Sequence, residues 1–182
     1  MNLEKYQQYS RIARGLEKAD LVLKDARIVN VFTEEIIRGD IAIQDGIIAG
    51  IGSFHGKEER DLAGRYVCPG FIDSHLHLES TLVTPAELVT AASRHGTTTF
   101  IVDPHESANV SGLAGIDYIL DQTEDVKANV YVMMPSCVPA TAIDDNGCTL
   151  TAEDMVPYLH NSRILGLGEV MDSISVVQGE KS

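Results

Sequence analysis

The sequence predicts an α/β protein in which a small antiparallel β unit precedes four strands of a parallel sheet with helices between them. Apolar residues alternate with polar ones from Asp20 to about Arg65, and Asp45-Gly46 interrupts them with a hairpin signal. From Tyr66 to Val170 apolar or β-branched runs alternate with helical segments in the order β-α-β-α-β-α-β, which right-handed crossovers build into a parallel sheet. The 182 residues are 44% apolar and 23% charged, a globular composition that excludes wholesale disorder.

Leu3, Tyr6, Ile12, Ala13 and Leu16 recur at helical spacing, so residues 3–18 read as an amphipathic helix in an N-terminal segment, 1–19. Leu21, Leu23, Ile28, Val29 and Val31, then Ile41 and Ile43, then Ile47, Ile48 and Ile51 read as the strands of the β unit, 20–67. Tyr66 to Asp73 is a strand broken by Pro69-Gly70, and the parallel domain is expected over 68–182. Thr84-Pro85-Ala86-Glu87 opens a helix with Thr84 as cap, Pro85 at the first position and Glu87 closing a capping box. Gly96 ends it. Thr97 to Asp103 is the second strand, 111–124 a helix, Asn129 to Met134 the third strand, Thr151 a helix cap, and Ile164 to Val170 the fourth strand. No helix is expected to cover that last strand. Four such strands fit an open doubly wound sheet or the first half of a (β/α)8 barrel, whose full form takes about 250 residues.

Charge narrows the function. The chain has 14 Lys+Arg against 27 Asp+Glu, a net −13, which disfavours nucleic acid bound through phosphate and an anionic membrane surface. A free nucleobase carries no phosphate and is not excluded. The three cysteines form no CxxC pair, so a reduced compartment is expected. The polar N-terminus has no signal-peptide core, and no apolar run reaches the ~20 residues of a membrane span, so a soluble cytoplasmic protein is expected.

Chemistry concentrates at predicted strand ends. In Asp73-Ser74-His75-Leu76-His77 the period-2 pleat puts both imidazoles on one face, where two neutral rings can bind one divalent ion from one side. Asp73 shares their parity and could orient a ligand from behind. The bland alternative is two unrelated surface histidines near a turn. Glu169, after Gly166-Leu167-Gly168, could bridge two metals; alone it is more often a solvated loop residue, and with the histidine pair it becomes the third ligand. Asp103, His105 and Glu106, in Asp103-Pro104-His105-Glu106, could bind metal or substrate, or hold the loop. Met134-Pro135-Ser136-Cys137-Val138-Pro139 reads as a stiff pocket wall, with Cys137 a buried small side chain. His77-Leu78-Glu79 fits half of the cytidine-type zinc deaminase signature, but the P-C-x-x-C half is missing, with Ala140 where a cysteine is needed. No complete dinucleotide, phosphate-loop or serine-hydrolase motif is present.

Pro69-Gly70-Phe71-Ile72-Asp73-Ser74-His75-Leu76-His77 resembles the first-strand signature of the amidohydrolase superfamily, and Gly39-Asp40-Ile41-Ala42-Ile43 with Asp45-Gly46 resembles its N-terminal β-sandwich portion. His77-Leu78-Glu79-Ser80, His95-Gly96-Thr97-Thr98-Thr99, Asp103-Pro104-His105-Glu106, Pro135-Ser136-Cys137-Val138-Pro139-Ala140-Thr141 and Leu165-Gly166-Leu167-Gly168-Glu169 together resemble the adenine deaminase family, over residues 20–172. The resemblance implies the first half of a (β/α)8 barrel with a binuclear site for Mn2+ or Fe2+, Zn2+ being the alternative. It implies hydrolysis of adenine to hypoxanthine and ammonia in purine salvage, with a homo-oligomer in the full-length enzyme. His75 and His77 match the paired ligands of the first strand, and Glu169 matches the bridging, catalytic carboxylate. Asp103, His105 and Glu106 match a loop at the barrel mouth. Two further histidines and an aspartate complete the family's ligand set, and His55, His95 and His160 lie off the predicted strand ends and do not replace them. The chain alone is therefore expected to be inactive and to bind metal weakly, as a fragment of a longer enzyme or half of a split one.

Two other readings compete. A dihydroorotase- or hydantoinase-like enzyme would bridge its metals with a carboxylated lysine, and no lysine occurs between Ala128 and Ile164. A non-catalytic βα module would need a partner chain for its open sheet edge.

Overall fold

The structure, a computed structural model, describes residues 2–179, and the chain divides into two units, Met1–Pro69 and Gly70–Ser182. Among the described residues no helix is long and apolar enough to cross a membrane.

In the first unit the Asn2 side chain caps helix α1 (Leu3–Ala13), accepting the Lys5 N–H at 2.9 Å. The helix stops short of the expected residue 18 because the chain reverses at Gly15, whose φ is +70°. α1 buries Ile12 against Ala19, Val22, Ala42 and Phe54. Strands β1 (Ala19–Asn30), β2 (Glu35–Gln44) and β3 (Ile47–Gly52) pair antiparallel. Asp45 and Gly46 turn β2 into β3 with φ of +52° and +75°, as a type I′ hairpin requires. Strands β4 (Gly56–Asp61) and β5 (Tyr66–Val67) instead join β1 in parallel, at its two successive halves. Alternation of apolar residues marks a strand but not its direction. Only a tight turn dictates antiparallel pairing, and no such turn joins β3 to β4.

The second unit is a four-stranded parallel sheet, β6 (Phe71–Leu76), β7 (Thr97–Val102), β8 (Asn129–Met134) and β9 (Ile164–Leu167), in that spatial order. Helix α2 (Pro85–Ser93) joins β6 to β7, and α3 (His105–Ser111) with α4 (Leu113–Gln122) joins β7 to β8. Helix α5 (Ala152–Met155) and a 3₁₀ turn, Val156–His160, lead into β9. Phe100, Val102, Val130, Val132 and Met134 project from one sheet face onto Leu78, Val89, Ile116 and Ile119. Each such side chain, fully buried, contributes about 1.5–3 kcal/mol. The edge strands are less covered: Ile72 is 63% exposed and Leu167 57%.

Local expectations fail in three places. Thr84 precedes α2 but makes no side-chain cap bond, so the box with Glu87 does not form, whereas Thr151 and Asp154 do form one on α5. His105 and Glu106 open a helix, α3, that no apolar periodicity announced; Gly112, at φ +62°, then breaks it from α4. The fourth strand is followed by a helix after all, α6 (Ser173–Gln178), which Asp172 caps by accepting the Ser175 N–H at 3.1 Å.

Candidate metal centre

β6 delivers His75 and His77 to its C-terminal end, with a register irregularity between Asp73 and Leu76. The two rings meet edge to face, centroids 5.0 Å apart, with their Nε2 atoms 3.2 Å apart. Glu169 lies just beyond β9, two strands further across the sheet from β7, and Gly168 stays on the ladder through its N–H to the Met134 carbonyl at 2.6 Å. The Glu169 carboxylate reaches both rings, Oε1 3.3 Å from His77 Nε2 and Oε2 3.7 Å from His75 Nε2.

These separations fit a divalent cation. Ligand atoms about 2.1 Å from one tetrahedral ion lie about 3.4 Å from each other. Two lone-pair nitrogens facing at 3.2 Å also repel unless a proton or a cation lies between them. The second ring nitrogen of His77, Nδ1, pairs with Glu106 Oε2 at 2.9 Å, the carboxylate–imidazole arrangement that fixes a metal-binding tautomer. Ser80 Oγ donates to the other Glu106 oxygen at 3.1 Å.

A second group of donors shares His77. His77, Glu79 and Glu106 place ligand atoms within 4.8 Å of one another. Glu79 Oε1 accepts the Ser107 N–H at 3.0 Å, while Oε2 is buried without a hydrogen-bond partner. Burial, reinforced by repulsion from Glu106, pushes the Glu79 carboxyl up. Burial acts the same way on Glu106, but its own N–H and the His77 and Ser80 contacts win and hold it below the ordinary value. Burial pulls His77 down, and the neighbouring carboxylates, Glu106 foremost, outweigh it and raise it.

Asp103 and His105 lie behind this group. Asp103 is fully buried, and its Oδ2 accepts the Glu169 N–H at 3.2 Å. Its Oδ1 and both His105 ring nitrogens have no hydrogen-bond partner, and Oδ1 is 3.8 Å from His105 Nδ1. His105 and Glu106 line a cavity of about 460 Å³ with Asn109, Ala140, Asp144 and Met171. Asp73 stands outside both donor groups, accepting only the His75 N–H at 3.4 Å. Cys137 is buried.

Sequence reasoning missed Glu79 and Ser136. Glu79 was visible as the third residue of His77-Leu78-Glu79, in a motif set aside for lacking its second half. Ser136 Oγ donates to the Glu169 carbonyl at 2.5 Å. Its one signal was its place in a loop at a strand's C-terminal end.

Known proteins match this chain closely. Residues 66–172 match the amidohydrolase family. An adenine deaminase of Desulfitobacterium hafniense is 57% identical over 181 residues, 100% of this chain and 32% of that protein. An adenine deaminase of Clostridium acetobutylicum is 50% identical over 93% of this chain and 30% of its own length. The chain thus spans about a third of the length of the curated relatives it matches. The N-acyl-D-glutamate deacylase of Bordetella bronchiseptica, solved with zinc and a phosphonate inhibitor, shares the fold. It superposes with a TM-score of 0.52 at 24% identity, over 77% of this chain and 34% of that one.

Proposed function

Because this chain belongs to the amidohydrolase family, we propose that it is the N-terminal portion of a metal-dependent enzyme that hydrolyses adenine to hypoxanthine and ammonia in purine salvage. The observation that carries this reading is the convergence of His75, His77 and Glu169 within 3.2–3.7 Å, in a chain whose relatives are adenine deaminases. His75, His77 and Glu169 would hold divalent cations, Mn2+ or Fe2+ with Zn2+ as the alternative, and such cations yield hydroxide near neutral pH by lowering the pKa of water. Glu106 holds the tautomer of His77 that leaves Nε2 free to bind. In this reading Glu169 is the catalytic carboxylate, which would take the proton of the attacking water and pass it to the departing amine. Asp103 and His105 form the buried wall behind it. Adenine is neutral and small, so a net charge of −13 sets no barrier to its entry. The enzyme would be cytoplasmic and homo-oligomeric, with no nucleic acid or membrane partner.

The remaining metal ligands would come from polypeptide outside these residues, so this chain alone is inactive. The exposed apolar side chains Ile72 and Leu167 on the two edge strands support that view, since a closed barrel would cover them. The test is conversion of adenine, with Mn2+ present, by the purified chain and by the chain mixed with the other two thirds of a close relative. We expect ammonia and hypoxanthine only from the mixture, and none once His75→Ala is introduced. Turnover by the chain alone at enzyme-like rates overturns the assignment of missing ligands, and a mixture that assembles without turnover overturns the activity.

A further inference from the structure

Glu169 sits past the end of β9, where no strand ladder fixes the direction of a side chain. Its peptide groups are nonetheless held on both sides. The N–H donates to Asp103 Oδ2 at 3.2 Å, and the carbonyl accepts from Ser136 Oγ at 2.5 Å. Asp103 reaches this loop because residue 168 is glycine; a Cβ there would overlap Asp103 Oδ2. The Asp103 N–H in turn donates at 2.9 Å to the carbonyl of Leu76, the residue between His75 and His77. One buried residue is therefore bonded through its main chain to the strand end that carries the imidazoles and through its side chain to the loop that carries the carboxylate. Ser136, from the loop after β8, closes the same loop from its other side.

We propose that Asp103 and Ser136 are positioning residues that clamp the Glu169 peptide so that its carboxylate meets both imidazoles at cation-binding distance. Neither belongs to either donor group. The inference rests on the reading of His75, His77 and Glu169 as a metal site, and it extends that reading to two side chains that would act only through Glu169.

Cobalt(II) is the probe, titrated into the 182-residue chain to millimolar concentration and followed by visible absorption, beside thermal unfolding without metal. Asp103→Ala is expected to weaken cobalt binding about 10- to 100-fold, the usual cost of losing a group that orients a ligand. Asp103→Asn keeps an oxygen facing the Glu169 N–H and is expected to stay within about 3-fold. Ser136→Ala, at a partly exposed site, is expected to lose about 3- to 10-fold with an unchanged metal-free melting temperature. Cobalt affinity unchanged in both alanine variants overturns the proposal, and so does a change confined to the metal-free melting temperature, which marks a merely structural role. If Asp103→Ala does not fold, Ser136→Ala decides. Failure of the underlying metal reading looks different: the unsubstituted chain takes up no cobalt, or takes it up equally well with His75→Ala.

Discussion

Asp40 in the first unit and Asp103 in the second are both buried, 8% and 0% exposed, but they are surrounded differently. Asp40 accepts from Lys24 Nζ at 2.5 Å and from the Phe54 and Asp25 N–H groups, both at 3.1 Å. Burial pushes its carboxyl up, but the Lys24 ammonium and those two N–H groups win and hold it below the ordinary carboxylate value. Asp103 has one N–H donor, a bare Oδ1 and an unbonded imidazole nearby. Burial dominates there and pushes its carboxyl up, with the Glu169 N–H and the imidazoles only partly opposing. A buried carboxylate with all its partners in place holds a fold together. One left with an orphaned oxygen costs stability, and such a cost is typically retained at a working site.

The largest expected effect is on the satisfied carboxylate. Asp40→Ala leaves Lys24 with only the Phe54 carbonyl and strips the Asp25 and Phe54 N–H groups of their acceptor, and should destabilise the chain by about 2–3 kcal/mol, read by urea unfolding. Next is Gly168→Ala, where overpacking against Asp103 should cost about 1–3 kcal/mol and weaken cobalt uptake together. A third measurement sets the two aspartates directly against each other. Asp40→Asn should lower the melting temperature of the metal-free chain at pH 7, while Asp103→Asn should leave it unchanged or raise it.

Their pH signs are opposite for the same reason. The folded pKa of Asp40 is depressed, so its contribution is complete above the unfolded value of about 4 and is lost as pH falls through the folded value. The folded pKa of Asp103 is raised, so its cost sets in as pH rises past about 4 and is complete above the folded value. Unfolding curves for the two asparagine variants between pH 3 and 7 should therefore diverge from the unsubstituted chain in opposite directions. Asp154, a solvent-facing carboxylate of the α5 capping box, gives the smallest effect: Asp154→Ala should lower the melting temperature slightly and leave cobalt affinity untouched.

Much of this architecture is legible in the amino-acid sequence. The succession of strands and helices in the second unit, the hairpin at Asp45-Gly46 and the approach of His75 to His77 follow from local patterns. The spatial order β6-β7-β8-β9 does not, since the same succession also fits a doubly wound sheet. The parallel attachment of β4 and β5 was not legible, because pairing direction depends on where the chain travels after a strand ends. Nor was helix α3, whose sequence His105–Ser111 carries no apolar stripe and which forms beneath neighbours that bury His105 and Ala108.

The candidate site divides along the same line. Sequence alone singled out His75, His77 and Glu169 as candidate ligands, because two imidazoles two residues apart at a strand end can serve one ion. Tertiary structure decided that Glu169 reaches them, that Glu79 and Glu106 crowd His77, and that Asp103, 66 residues from Glu169, takes its N–H. Those contacts depend on strand register and burial, and both are set by the packing of segments far apart in the chain rather than by any local pattern.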